Sequence, residues 1–288
     1  SSFMAWIVRR LAGTACYDSA STHGDAMNTR SLVCAVLLTV LAFPLAAQEG
    51  DADAQAKALA TANNPLANMV AFNIQNYYHA SLYGTDDTAN TAWLRYAQPF
   101  GRWLMRASLP ISTVPAGEGQ DPVSGIGDFN VFFAYLMSDP SSPKQYGIGP
   151  LLAGPTASDD ALGADVWQAG AAAVYFDASS KIVQWGGLLT YQTDFAGDGD
   201  PTSLAVLQPF LMIQVGKGTY LRSAALWVFD IENSSYNVPV GFGIGKVVKS
   251  GRTVFNMFIE PQFTILHDGV GQPELQIFAA LNMQFLPK

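Results

Sequence analysis

The chain has 288 residues, 15 Lys and Arg against 23 Asp and Glu, a formal net charge of −8, and only 13% charged residues beside 49% hydrophobic ones. A soluble domain usually carries about 25% charged residues. A nucleic-acid partner would need clustered Lys and Arg to meet its phosphates, so this composition argues against both.

Helical membrane spans need about 20 consecutive apolar residues. Only residues 31–47 approach that, and Pro44 interrupts them. The segment reads as the apolar part of a secretory signal: Arg30 supplies the positive start, and Leu45-Ala46-Ala47 offers small residues before Gln48. Residues 1–26 are then expected to precede the true start, and residues 27–47 to form a cleaved signal peptide. Both cysteines, Cys16 and Cys34, fall before the expected cleavage. No disulfide, thiol nucleophile or Cys-based metal site is expected afterwards. Residues 48–66 are Ala-rich until Asn63-Asn64-Pro65 stops any helix. They are expected to form a short periplasmic or plug segment.

From residue 67 the chain becomes a string of two-residue alternations. The predicted strands cover 68–80, 91–100, 102–113, 126–137, 145–154, 166–176, 181–193, 203–215, 219–230, 238–248, 252–265 and 274–286. Most are close to the ~9–11 residues of a tilted membrane-spanning strand. In the eleventh, Phe255, Met257, Ile259 and Phe263 share one face, while Asn256, Glu260 and Gln262 share the other. Successive side chains point to opposite sides of a sheet, so each run has an apolar face and a more polar one. The connections alternate long and short. With the N-terminus in the periplasm, the long ones are extracellular and carry acids such as Asp86, Asp87, Glu118, Asp121, Asp159 and Asp160, with no Lys or Arg. The short turns hold or adjoin Arg102, Lys144, Lys181, Lys217, Lys249 and Arg252. A soluble sandwich has no reason to segregate charge and loop length together. The expected fold is all-β: a transmembrane up-and-down antiparallel β-barrel of about twelve strands over residues 67–288, in a Gram-negative outer membrane. Pro99, Pro110, Pro150, Pro209, Pro239 and Pro261 fall in or near strands, where each removes a ladder donor, so they are expected at strand ends or bulges.

An ordered set of short motifs carries a resemblance. It runs Asn63-Asn64-Pro65-Leu66-Ala67, Gln98-Pro99-Phe100, Leu109-Pro110, Gly125-Ile126-Gly127-Asp128, Gly147-Ile148-Gly149-Pro150, Gly154-Pro155-Thr156-Ala157, Gln208-Pro209-Phe210, Val238-Pro239-Val240-Gly241 and Gly243-Ile244-Gly245-Lys246. From about residue 64 onward the chain resembles a group of Gram-negative outer-membrane barrels labelled as transporters or as proteins of the meta-pathway of phenol degradation. One departure is Trp167-Gln168-Ala169-Gly170-Ala171, where Trp-x-x-Gly-Pro is common in that group. The resemblance implies a barrel that passes small, aromatic or hydrophobic molecules, and it brings no catalytic residues.

Catalytic chemistry is sparse. His79-Ala80-Ser81 would place a base and a hydroxyl on one strand face, the arrangement an outer-membrane lipid-modifying enzyme would need. No Asp or Asn stands at a spacing suited to orient that base, and no catalytic residue is assigned. Asp194, Asp198 and Asp200 are weak candidates for a hard cation; a solvated acidic rim is the simpler reading, and no cofactor is expected. Alternation places Arg95, Arg102, Arg106, Asp128, Gln184, Gln208, Arg222, Asp230 and Glu260 inward, toward a lumen. They would form either a filling ladder of ion pairs or a charged pore, because twelve strands lie between the packed interior of eight and the aqueous channel of sixteen. The leading expectation is passive passage of small molecules through a charged lumen. The alternative is a closed structural or surface-interaction barrel with acidic extracellular loops. Outer-membrane lipid, lipopolysaccharide and a small solute are the expected partners.

Overall fold

A sheet of such strands removes its unpaired edges only by closing on itself. The computed structural model describes residues 62–117 and 119–286. In it the sheet closes into a twelve-stranded antiparallel barrel. The expectations for residues 1–26, 27–47 and most of 48–66, and for Glu118, lie outside the described residues. Among the described residues no helix is long and apolar enough to cross a membrane.

The wall runs through β1 (Val70–Leu82), β2 (Ala89–Phe100), β3 (Trp103–Val114), β4 (Val123–Ile126) and β5 (Phe129–Leu136). It continues through β6 (Lys144–Gly154), β7 (Val166–Asp177), β8 (Val183–Gly197), β9 (Ser203–Gly216), β10 (Thr219–Ser223) and β11 (Trp227–Asp230). It ends with β12 (Ser235–Gly241), β13 (Gly243–Ser250), β14 (Thr253–Asp268) and β15 (Pro273–Phe285). Pairing of β15 with β1, from Val70 opposite Phe285 to Leu82 opposite Pro273, closes the circle.

The strands expected at 219–230 and 238–248 are each broken in two, and the one expected at 126–137 starts at Phe129 after a separate short strand, β4; prolines on neighbouring strands mark the breaks. Pro110 of β3 faces the gap between β4 and β5, where its carbonyl accepts from Gly127 N. Pro209 of β9 faces the gap between β10 and β11. Pro261 of β14 faces the bulge between β12 and β13, where its carbonyl accepts from Phe242 N at 3.1 Å. Pro239 sits at a register shift against β14. A proline donates nothing to the ladder, so the strand beside it loses a partner and breaks or bulges there.

The exterior is apolar and belted. Trp103–Tyr135 (5.2 Å) and Tyr175–Trp185 (5.3 Å) pair near the short-turn end. Phe129–Trp167 (6.4 Å) and Phe229–Tyr236 (6.5 Å) pair near the long-loop end. Trp167 and Tyr175 are eight residues apart on β7, about 26 Å along a strand and about 20 Å along the axis at ~40° tilt. Two aromatic belts around an apolar band of that height match a lipid bilayer.

Candidate functional site

The candidate site is the lumen. Its interior divides into two sectors. Along β3 and β5–β9, Leu104, Phe132, Leu151, Val174, Phe176, Leu188, Phe210 and Met212 pack as one apolar cluster. Along β1, β2, β10, β14 and β15 the inward face is largely polar: Asn73, Gln75, Arg95, Arg222, Asn256, Glu260, Gln262, Gln276 and Asn282. A cavity of about 170 Å³ lies where the sectors meet, lined among others by Arg95, Arg106, Gln208, Phe210, Met212, Arg222, Phe258 and Asn282. At ~30 Å³ per water it has room for about six.

The polar sector is anchored by a buried ion pair. Arg222 Nε donates to Glu260 Oε2 at 2.6 Å, with the glutamate fully buried and the arginine 7% exposed. Glu260 Oε1 also accepts from Ala224 N (2.8 Å) and Gln262 Nε2 (3.0 Å), and Gln262 Oε1 accepts from Gln276 Nε2 (2.6 Å). The guanidinium lies over the Phe258 ring at 3.3 Å, and Phe258 packs edge-on against Phe278, which stacks on Tyr77 at 4.1 Å. Charge, hydrogen bonds and ring faces are thus satisfied together, as a charge away from bulk water requires. Two glycines make room. A Cβ at Gly241 would stand 2.0 Å from Glu260 Oε1, and one at Gly245 would stand 2.1 Å from the Tyr220 ring.

Arg95 and Arg106 are arranged differently. They occupy diagonal inward positions on β2 and β3, with Arg95 opposite Ser108 and Arg106 opposite Ala97. Arg95 donates to Gln75 Oε1 and lies over Trp93; Arg106 lies over Phe132 at 4.4 Å. The Nε of each is buried without a hydrogen-bond partner among the described residues. The described residues hold two ion pairs, Arg222–Glu260 and an exposed Lys144–Asp177 contact at 3.8 Å. Among the described residues the interior therefore holds a single pair rather than a ladder.

Residues 62–66 enter the short-turn end. Ala62 and Leu66 join the apolar cluster. Asn256 Nδ2 donates to Ala62 O and Asn63 Oδ1 (both 3.0 Å), Gln284 Nε2 donates to Ala62 O, and Asn64 Nδ2 donates to Gln145 Oε1.

Of the residues expected to face a lumen, Arg95, Arg106, Gln208 and Arg222 border the cavity. Glu260 lies buried beside it, and Gln184 is buried and accepts from Gln214 Nε2. Three lie elsewhere. Arg102 is exposed at the turn before β3 and donates to the carbonyls of Leu136, Met137 and Ser138. Asp128 sits in the break between β4 and β5, accepting from Thr156 N, Ala157 N and Ala164 N. Asp230 ends β11 and accepts from Asn233 N and Nδ2. Each lies at a strand end or a break, where alternation no longer fixes direction. Asp194 accepts from Thr202 N. Among the described residues no three His, Cys, Asp or Glu side chains gather to hold a metal ion, Asp194, Asp198 and Asp200 included. A bulge between His79 and Ser81 takes that pair out of strict alternation.

The cavity residues that sequence reasoning passed over include Tyr220, Phe258 and Phe210. Each shares its strand face with a polar residue placed inward by alternation (Arg222, Glu260 or Gln208), so the same alternation contained them.

No protein-family profile matches this sequence, and no curated protein matches it. Solved structures do. An outer membrane channel from Pseudomonas putida F1 matches at 13% identity with a TM-score of 0.56, covering 75% of this chain and 94% of that one. The NanC porin (9% identity, TM-score 0.48, 76% of this chain and 100% of that one) and the KdgM porin in complex with disordered oligogalacturonate (9%, 0.42, 76% and 99%) also align. The fold is therefore a closed antiparallel β-barrel like that of the P. putida structure.

Proposed function

We propose that the protein is a Gram-negative outer-membrane channel for passive passage of small solutes through a charged lumen, without a cofactor. The observation that carries this reading is the cavity inside a belted, closed barrel, bordered by Arg95, Arg106 and Arg222, with Glu260 buried beside it and paired to Arg222. An apolar exterior needs lipid around it, and a barrel of antiparallel strands is the form in which β-structure crosses a bilayer. The motif resemblance alone suggests aromatic or hydrophobic solutes and a link to phenol degradation. Single-channel recording of the purified protein in a planar bilayer tests the proposal. Discrete conductance steps support it; silence from protein whose heat-modifiable migration proves a folded barrel overturns it. Residues 62–66, seated in the short-turn end, favour a second reading: a closed barrel whose acidic outer loops, facing lipopolysaccharide, carry the function.

A further inference from the structure

We infer that Arg95 and Arg106 form a binding subsite for a small monocarboxylate with an apolar body. The inference deepens the channel reading and rests on it for its biological sense. The two side chains project from adjacent strands at diagonal positions, about 7–8 Å apart at the backbone. One carboxylate between them is within reach of both forks. Each guanidinium is held from behind, Arg95 by Trp93 and Gln75, Arg106 by Phe132. This fixes the forks before a ligand arrives and lowers the ordering cost of binding. Each also retains a buried Nε without a partner among the described residues.

Charge points the same way. Glu260, the carboxylate in this region, is already bound by Arg222, Ala224 N and Gln262. No described Asp or Glu lies within 4.0 Å of either Arg95 or Arg106. Two like charges side by side without a counter-ion favour an anion between them, and planar guanidinium forks match a carboxylate best. The rest of the ligand is set by the apolar side of the same cavity, where Leu104, beside Arg106 on β3, and Phe210 and Met212 of β9 offer nothing to a second charge. A dianion or a sugar would leave polar groups unpaired there, whereas an alkyl or aryl body would not.

The test is calorimetric titration of the full chain, extracted from membranes in detergent, with hexanoate, hexanamide and acetate. Hexanoate is expected to bind at least tenfold tighter than its neutral amide, and tighter than acetate, which lacks the body. The double variant Arg95→Gln/Arg106→Gln, verified as folded by heat-modifiable migration, is expected to lose that preference. Arg95→Lys/Arg106→Lys is expected to keep part of it, through charge without the fork. Equal affinity for hexanoate and hexanamide, no hexanoate binding, or undiminished preference in the folded Gln variant would each overturn the subsite. Conductance is read separately: carboxylate binding without conductance steps would sink the channel reading and leave the subsite standing, and steps without binding would do the reverse.

Discussion

Removing the Glu260 carboxylate should be among the most damaging single changes in the barrel interior. In Glu260→Ala the Arg222 guanidinium, 7% exposed, loses its counter-ion. Ala224 N and Gln262 Nε2 lose their acceptor in the same stroke. Breaking a buried pair by deleting one partner costs about 3–5 kcal/mol. The two further bonds would each contribute about 1–3 kcal/mol in isolation, but all three share one acceptor group and do not add. The expected loss is about 4 kcal/mol, close to a thousandfold in the folding equilibrium at ~1.4 kcal/mol per decade. Phe258 and Phe278 supply an apolar surround, so Arg222→Met/Glu260→Met should recover about half, leaving mainly the unsatisfied Ala224 N. Guanidinium-induced unfolding in lipid vesicles, followed by tryptophan fluorescence, measures both. A Glu260→Ala loss below about 1 kcal/mol, or a double variant worse than the single one, would refute the reasoning.

The cavity, the loop staple and the inserted segment give further expectations. Arg106→Glu should move ion selectivity toward cations, read as a reversal-potential shift in a salt gradient; an unchanged potential would remove Arg106 from the conducting path. Asp128→Ala should loosen the loop from 155 to 164 by about 2 kcal/mol and expose it to protease on whole cells while the barrel resists. Gly245→Val should cost at least about 2 kcal/mol, because its side chain meets the Tyr220 ring, and should show as lost heat-modifiable migration at a lower temperature. Asn256→Ala removes two hydrogen bonds from Asn256 to residues 62–63 and should raise single-channel conductance by freeing the short-turn end.

Much of the wall was legible because its physics is local. Alternation at period two places Asn256, Glu260 and Gln262 on the inner face of β14 whatever the rest of the chain does. Loop length and loop charge give the expected direction in which the wall runs. The breaks were half legible. Pro110, Pro209 and Pro261 announce a missing donor, but which neighbouring strand loses its partner depends on register, a property of two strands rather than one. Asp128 shows the difficulty. Within a continuous strand it would face inward, but Pro110 lets the wall open at Gly127-Asp128. The loop then sews the opening shut: Thr156 Oγ1 donates to Gly127 O and accepts from Phe129 N, and Ser158 Oγ accepts from Ile126 N. The Gly125-Ile126-Gly127-Asp128 and Gly154-Pro155-Thr156-Ala157 motifs are the two halves of that seam. Lumen pairing was not legible, because Arg95, Arg106 and Arg222 look alike in sequence, and only the pairing of β10 with β13 and of β13 with β14 brings Glu260 to Arg222.

In the proposed channel the acidic loops and the lumen arginines would pull a permeating ion in opposite directions, and distance decides between them. Asp86, Asp87, Asp121, Asp159, Asp160, Asp198 and Asp200 are exposed on the long-loop side, in water. They act on an ion only through a field that decays over about 8 Å at physiological salt and about 3 Å at 1 M. Arg95 and Arg106 border the cavity itself, so an anion inside it touches them, and contact is screened far less than action across solvent. In the proposed channel, low salt therefore lets the rim gather cations and mask the lumen, whereas high salt silences the rim first. The chloride preference over potassium should rise between ~0.01 M, where the screening length is ~30 Å, and 1 M. This is the reverse of the fading selectivity expected when a pore's only charges act at long range. A preference that falls steadily with salt would show that the lumen arginines do not meet the ion.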